Sequence, residues 1–156
     1  MSVLSKLKKM GACEGGIAIY FAAKAAAATA NLLKQRNKLN ASTKSKFRPL
    51  FPHLDLDRVR VRPDCTLPPN WFTSADDVVA MTFGYTIYCK GKKMQSTNNK
   101  LNVLMHELVH VDQIRRRDDS ESKFACDYGK GFVAAGNYSD NPLEVEADNF
   151  VAANGF

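Results

Sequence analysis

The chain has 156 residues, of which 45% are apolar and 24% charged, a composition that excludes wholesale disorder and suits one folded domain. Its 22 basic and 16 acidic residues leave a formal charge of +6, a modest surplus that falls short of marking a dedicated nucleic-acid binder. Four scattered cysteines, Cys13, Cys65, Cys89 and Cys126, form no C-x-x-C pair, which argues against a zinc knuckle or a redox dithiol.

The N-terminus carries basic Ser5-Lys6-Leu7-Lys8-Lys9 and then the apolar run Gly15 to Phe21, which Lys24 interrupts. A spanning helix needs about 20 apolar residues and a signal peptide a cleaner apolar core, so neither is expected. The expected location is cytoplasmic, or outside the cell by a non-classical export route. Alanine-rich composition predicts instead a long soluble helix from Ile17 to Leu39, with Ile17, Phe21, Ala28, Leu32 and Leu39 packing inward. The polar stretch from Asn37 to Arg48 reads as a loop whose lysines are solvated. Residues 1–49 therefore form a helix and basic loop packed on, or covering, a domain of residues 50–156. His53 stands alone and reads as a surface residue.

Val59 and Val61 alternate with Arg58, Arg60 and Arg62, the pattern of a half-exposed strand. Pro63, Pro68 and Pro69 mark an irregular connection around Trp71 and Phe72. Val78 to Phe83 and Thr86 to Cys89 flank Gly84-Tyr85 and predict a hairpin or bulged strand pair. An even number of cysteines permits two disulfides. Cys89 on a strand and Cys126 on a helix read equally well as buried free thiols.

His106-Glu107-Leu108-Val109-His110 reads H-E-x-x-H within an apolar-periodic run from Leu101 to Ile114. Residues four apart on a helix lie about 40° apart around its axis, so both imidazoles face one way. They can share a Zn²⁺, and Glu107 can reach a water beside it as general base. The alternative is a core helix with two incidental histidines. A catalytic zinc takes three protein ligands, yet no histidine follows the motif, and Gln113 stands where metzincins place glycine. The third ligand must then be acidic.

From Glu121 to Gly136, Phe124, Tyr128 and Phe132 recur at helical spacing interrupted by Gly129 and Gly131. Such a stripe reads as core, although Tyr128 and Tyr138 are candidate oxyanion donors. Asn141 can cap a further helix with Pro142 at its first position. On it Glu144 and Asp148 share a face. Glu144 is the candidate ligand, and Asp148 can accept a hydrogen bond from a ligating histidine. Glu146, about 200° around the helix from Glu144, is the competing ligand and lacks such a partner.

Glu144-Val145-Glu146-Ala147-Asp148 resembles the E-x-x-A-D glutamate helix of gluzincins, including the CAAX-prenyl-protease type. Val59-Arg60-Val61, Thr82-Phe83-Gly84-Tyr85-Thr86-Ile87-Tyr88 and His106 through Gln113 together resemble a small zincin-like domain of bacterial proteins associated with extracellular contractile injection systems. The likeness spans roughly residues 50–152. It implies an α+β zincin-like fold, with a small sheet or hairpin packed on the active-site helix. It also implies a role for the hairpin in pairing with an extended substrate.

The expected function is that of a zinc-dependent endopeptidase acting on a protein or peptide. Its metal ligands would be His106, His110 and Glu144, with Glu107 as general base and Asp148 orienting a histidine. Three other readings are an inactive zincin-like scaffold module, a nucleic-acid-associated protease suggested by the lysines of residues 37–48 and Arg115-Arg116-Arg117, and a secreted or injected toxin peptidase. Nucleic acid is the less favoured partner.

Overall fold

The computed structural model describes residues 2–68 and 78–156, so the Trp71 and Phe72 connection lies outside the described residues. Ser2 accepts a hydrogen bond from the Ser5 amide and starts helix α1 (Val3–Met10), and Gly11 separates it from α2 (Ala12–Ala30). Strand β1 (Asn37–Lys38) and α3 (Ala41–Phe47) follow, then β2 (Arg60–Arg62) and the hairpin β3 (Ala80–Phe83) and β4 (Thr86–Cys89). The C-terminal half is helical: α4 (Asn98–Arg115), α5 (Glu121–Ala135) and α6 (Pro142–Asn154). Among the described residues the fold is thus α+β, with six helices and a four-stranded sheet.

The sheet order is β1-β2-β4-β3. β2 runs parallel to β4, with Val61 opposite Ile87, while β1 pairs with β2 and β3 with β4 antiparallel. Gly84, at φ 61, supplies the positive dihedral of a two-residue turn, the hairpin that the Gly84-Tyr85 pair predicts. β1 and β3 are the edge strands, and β3 packs beside α4.

Two apolar clusters hold these layers. In one, Val61, Ile87, Leu104, Leu108 and Val111 join α4 to the sheet, with Phe47 of α3 and Ala147 of α6 closing its sides. In the other, Tyr20, Ala27, Phe83, Ile114, Phe124 and Leu143 tie α2 and α5 to the sheet's edge and to α4.

The N-terminal segment differs from the expectation of one helix over 17–39 and a loop to 48. Asn31 ends α2 because its amide donates to the Ala27 and Thr66 carbonyls and its oxygen accepts from the Thr66 amide. Those bonds divert the chain toward the sheet, and Leu32 is left 74% exposed instead of packed inward. Tyr20, Ala23 and Ala27 form the buried face, while Phe21 is exposed. Residues 41–47, expected as loop, are helical because Asn40 accepts from the Thr43 amide and Phe47 is fully buried. Leu39 is buried in the cluster beneath the sheet.

α5 runs unbroken through its glycines. Gly16 and Gly129 face each other where α2 and α5 cross, and a Cβ on Gly16 would lie 2.4 Å from the Ala125 carbonyl. Only glycine permits that approach. Beside it Cys13 and Cys126 are disulfide-bonded, 113 residues apart in sequence, so Cys126 is not a free thiol, while Cys65 and Cys89 are free and buried. Closing so long a loop lowers the entropy of the unfolded chain. Reduction, or Cys13→Ser, should cost about 3–5 kcal/mol in urea unfolding. Equal midpoints for the oxidised and reduced protein would show that the bond adds no stability.

Candidate metal centre

Thr97 caps α4 by accepting from the Lys100 amide, and Asn141 caps α6 by accepting from Leu143, with Pro142 at its first turn. The Asn141 side-chain amide also donates to the Tyr128 carbonyl at 3.1 Å, which fixes the start of α6 against α5. α6 thereby lays Glu144 against the histidine face of α4.

His106 Nε2 and His110 Nε2 lie 3.2 Å apart. One Glu144 oxygen is 3.1 Å from His106 Nε2, and the other is 3.3 Å from His110 Nε2. Two donors bound about 2.0 Å from a tetrahedral metal would lie about 3.3 Å apart, so the nitrogen separation fits such an ion. His106, His110 and Glu144 could therefore hold a metal, their donor atoms all falling within 4.8 Å of one another. Glu146 is directed elsewhere: it accepts from Arg116 and from the Gln113 side-chain amide at 3.0 Å.

The far nitrogens of both rings are held as a metal site requires. His106 Nδ1 is 3.0 Å from Asp148 Oδ1, the partner anticipated from sequence. His110 Nδ1 donates to Gln113 Oε1 at 2.9 Å, and the Gln113 amide in turn donates to the Leu143 carbonyl at 2.9 Å. An acceptor oxygen at each Nδ1 holds a proton there, so each Nε2, facing Glu144, is the nitrogen that a metal would take in place of a proton. Gln113 is fully buried, and its role is not legible in its spacing beyond its exclusion of the metzincin glycine. Gln113→Leu should weaken metal binding about 10- to 100-fold. Titration against a chromophoric chelator would read this, and an unchanged affinity would remove Gln113 from the site.

Electrostatics follow from burying these groups together. Burial opposes charge on His110, but the Glu144 carboxylate outweighs it and raises the imidazole pKa to about 9. His106 is likewise raised, against burial, by its hydrogen bond to Glu144 and the nearby Glu107 charge. Burial would raise Glu144, yet the two imidazoles hold it well below the usual carboxylate range. A metal cation can take the place of those protons.

Glu107 is buried, and its Oε2 accepts from the Thr82 hydroxyl at 2.5 Å. Thr82 sits on β3, so the edge strand orients the candidate base. Its sequence position signals only a strand residue. The Tyr128 hydroxyl donates to Glu144 Oε1 at 2.6 Å, and burial together with that carboxylate pushes its pKa far up. Tyr138, raised for the same two reasons, lines both the cavity behind Glu107 and the open groove before it. Both candidate oxyanion donors approach the Glu144 carboxylate, and Tyr138 is the one that also lines the groove. That groove, about 730 Å³, runs past Val79, Ala80, Val103, His106 and Asp148 along the outer side of β3. His53 is exposed and outside the cluster.

Arg115, Arg116 and Arg117 are each engaged with a carboxylate: Asp112 for the first, Asp112 and Glu146 for the second, Asp127 for the third. No helix of the described residues is long and apolar enough to cross a membrane.

No curated protein and no solved structure matches the chain. The eCIS core domain matches residues 38–118, just over half of the sequence. The matched segment holds Thr82, His106, Glu107, His110 and Gln113, and it ends before Glu144 and Asp148. Strands β2, β3 and β4 and the H-E-x-x-H helix thus lie inside the matched segment, with the candidate third ligand on α6 outside it, and the chain belongs to the eCIS core domain family, named for the extracellular contractile injection system.

Proposed function

We propose that this domain is a zincin-like, zinc-dependent endopeptidase. The observation that carries this reading is the convergence of His106 Nε2, His110 Nε2 and the Glu144 carboxylate beside Glu107, with His106 and Glu107 lining the open groove and His110, Glu144 and Glu107 lining the cavity behind it. Two imidazoles and a carboxylate are a donor set that suits Zn²⁺ and leaves a fourth position open. Bound zinc supplies Lewis acidity, polarising a carbonyl and acidifying water.

The protein's own groups do the rest. An extended peptide lies in the groove and pairs with the edge of β3 that is open among the described residues. Glu107, steadied by Thr82, takes a proton from the attacking water at its other carboxylate oxygen and delivers it to the departing amine. Asp148 and Gln113 keep the Nδ1 protons in place, so each Nε2 stays free to ligate. Tyr138, at the groove wall, is placed to donate to the developing oxyanion. The engagement of Arg115, Arg116 and Arg117 with carboxylates favours a peptide substrate over nucleic acid.

The test is metal content by mass spectrometry together with cleavage of a peptide library. One zinc per chain is expected, with cleavage stopped by a chelator and restored by Zn²⁺. Full zinc loading with no peptide cleaved would overturn the catalytic reading in favour of a metal-stabilised scaffold.

A further inference from the structure

We infer that the cavity behind Glu107 is a specificity pocket for one aliphatic side chain of about four heavy atoms, such as leucine, isoleucine or methionine. Its far wall is built by α2, which lies outside the family-matched segment. The inference rests on the peptidase reading above and names the residue class that site selects.

The cavity measures about 100 Å³. A dry cavity of about 150 Å³ accepts the six carbons of benzene, so this one takes about four. It shares Val78, Ala80, Glu107 and Tyr138 with the open groove, so a peptide in the groove passes its mouth at the general base. The deep end is apolar, formed by Ile19, Ala23, Met81, Phe83, Phe124 and Ala125. Tyr20 also lines it, but the Tyr20 hydroxyl is already engaged, donating to Glu121 and accepting from the Gly84 amide, both at 2.8 Å. Thr82, Glu107, His110, Tyr128, Tyr138 and Glu144 also line the cavity, at the metal centre, so a polar side chain reaching past them to the apolar end would lose its hydration among groups that offer no hydrogen bond. An indole or phenyl ring exceeds the volume.

The wall cannot readily recede to admit a larger group. α2 is fastened to α5 by the Cys13–Cys126 disulfide and by the contact of Gly16 with Gly129. Lys24 of α2 bridges both oxygens of Glu121 at 2.8 Å, which holds the same helix to the start of α5.

The experiment pans a displayed library of randomised heptapeptides on the full-length, zinc-loaded Glu107→Gln protein, so that binding is read without turnover. Leucine, isoleucine or methionine should be enriched at one position at least tenfold over glycine and over tryptophan, as burial of such a side chain implies. Ala23→Phe in the same background fills the pocket and should abolish that enrichment. Ile19→Ala enlarges it and should admit phenylalanine, and this variant decides the matter if Ala23→Phe does not fold by circular dichroism. The absence of an enriched position, enrichment of charged residues, or an unchanged profile in the folded variants would overturn the pocket. The wild-type protein separates the two claims. Cleavage without aliphatic preference sinks the pocket alone, whereas aliphatic enrichment without cleavage by wild type sinks the catalytic reading alone.

Discussion

Glu107→Gln is expected to lower kcat by about 10²- to 10⁴-fold while zinc stoichiometry and thermal stability stay at wild-type values. The amide has nearly the shape of the carboxylate, and its oxygen can still accept from the Thr82 hydroxyl, so the strand-to-helix contact survives. It cannot accept the proton of an attacking water, and it ligates nothing, since the metal-competent cluster consists of His106, His110 and Glu144. The variant therefore isolates the base from the metal. Wild-type turnover in a zinc-loaded Glu107→Gln protein would mean that another group abstracts the proton. Co-loss of zinc and activity would instead assign Glu107 a structural part in the site.

The second expectation is a contrast between two acids two residues apart. Glu144→Ala should reduce zinc affinity by more than the roughly 100-fold that bounds loss of an outer-sphere partner. Among the described residues it removes the one carboxylate that reaches both Nε2 atoms, at 3.1 and 3.3 Å. It also removes the carboxylate that accepts from the Tyr128 hydroxyl. Glu146→Ala should cost far less, because Glu146 contacts Gln113 and Arg116 and none of the three donors. Gln113 would lose one acceptor but keep the Leu143 carbonyl, and Arg116 would keep Asp112. Competitive titration of both variants with a chelator reads the difference directly. Equal losses in the two proteins would reopen the choice of third ligand.

Much of the centre is legible in the chain itself. The H-E-x-x-H spacing places both imidazoles on one helical face, because the 3.6-residue period needs no tertiary information. The absence of a third histidine downstream demands an acid, and Glu144 with Asp148 meets that demand at the same four-residue spacing. Asn141-Pro142 marks the start of α6, since a capping amide and a fixed φ act within one turn of chain. The hairpin is equally local: Gly84 supplies the positive φ that its two-residue turn requires.

What escaped the sequence is decided by packing between distant segments. Gln113 reads as an ordinary helix residue until α6 brings the Leu143 carbonyl to its amide. Thr82 reads as a strand residue until β3 lies against α4. The end of α2 at Ala30 depends on Thr66, which Asn31 meets across more than thirty residues of chain. The Cys13–Cys126 bond likewise depends on a glycine contact between α2 and α5 that no spacing encodes. Local periodicity and capping determined which side chains could face a metal, because those forces act within a few residues. Only the tertiary structure decided which carboxylate meets the histidines, what steadies the base and how the cavity is walled, because each needs surfaces that the chain brings together after its helices and strands have formed.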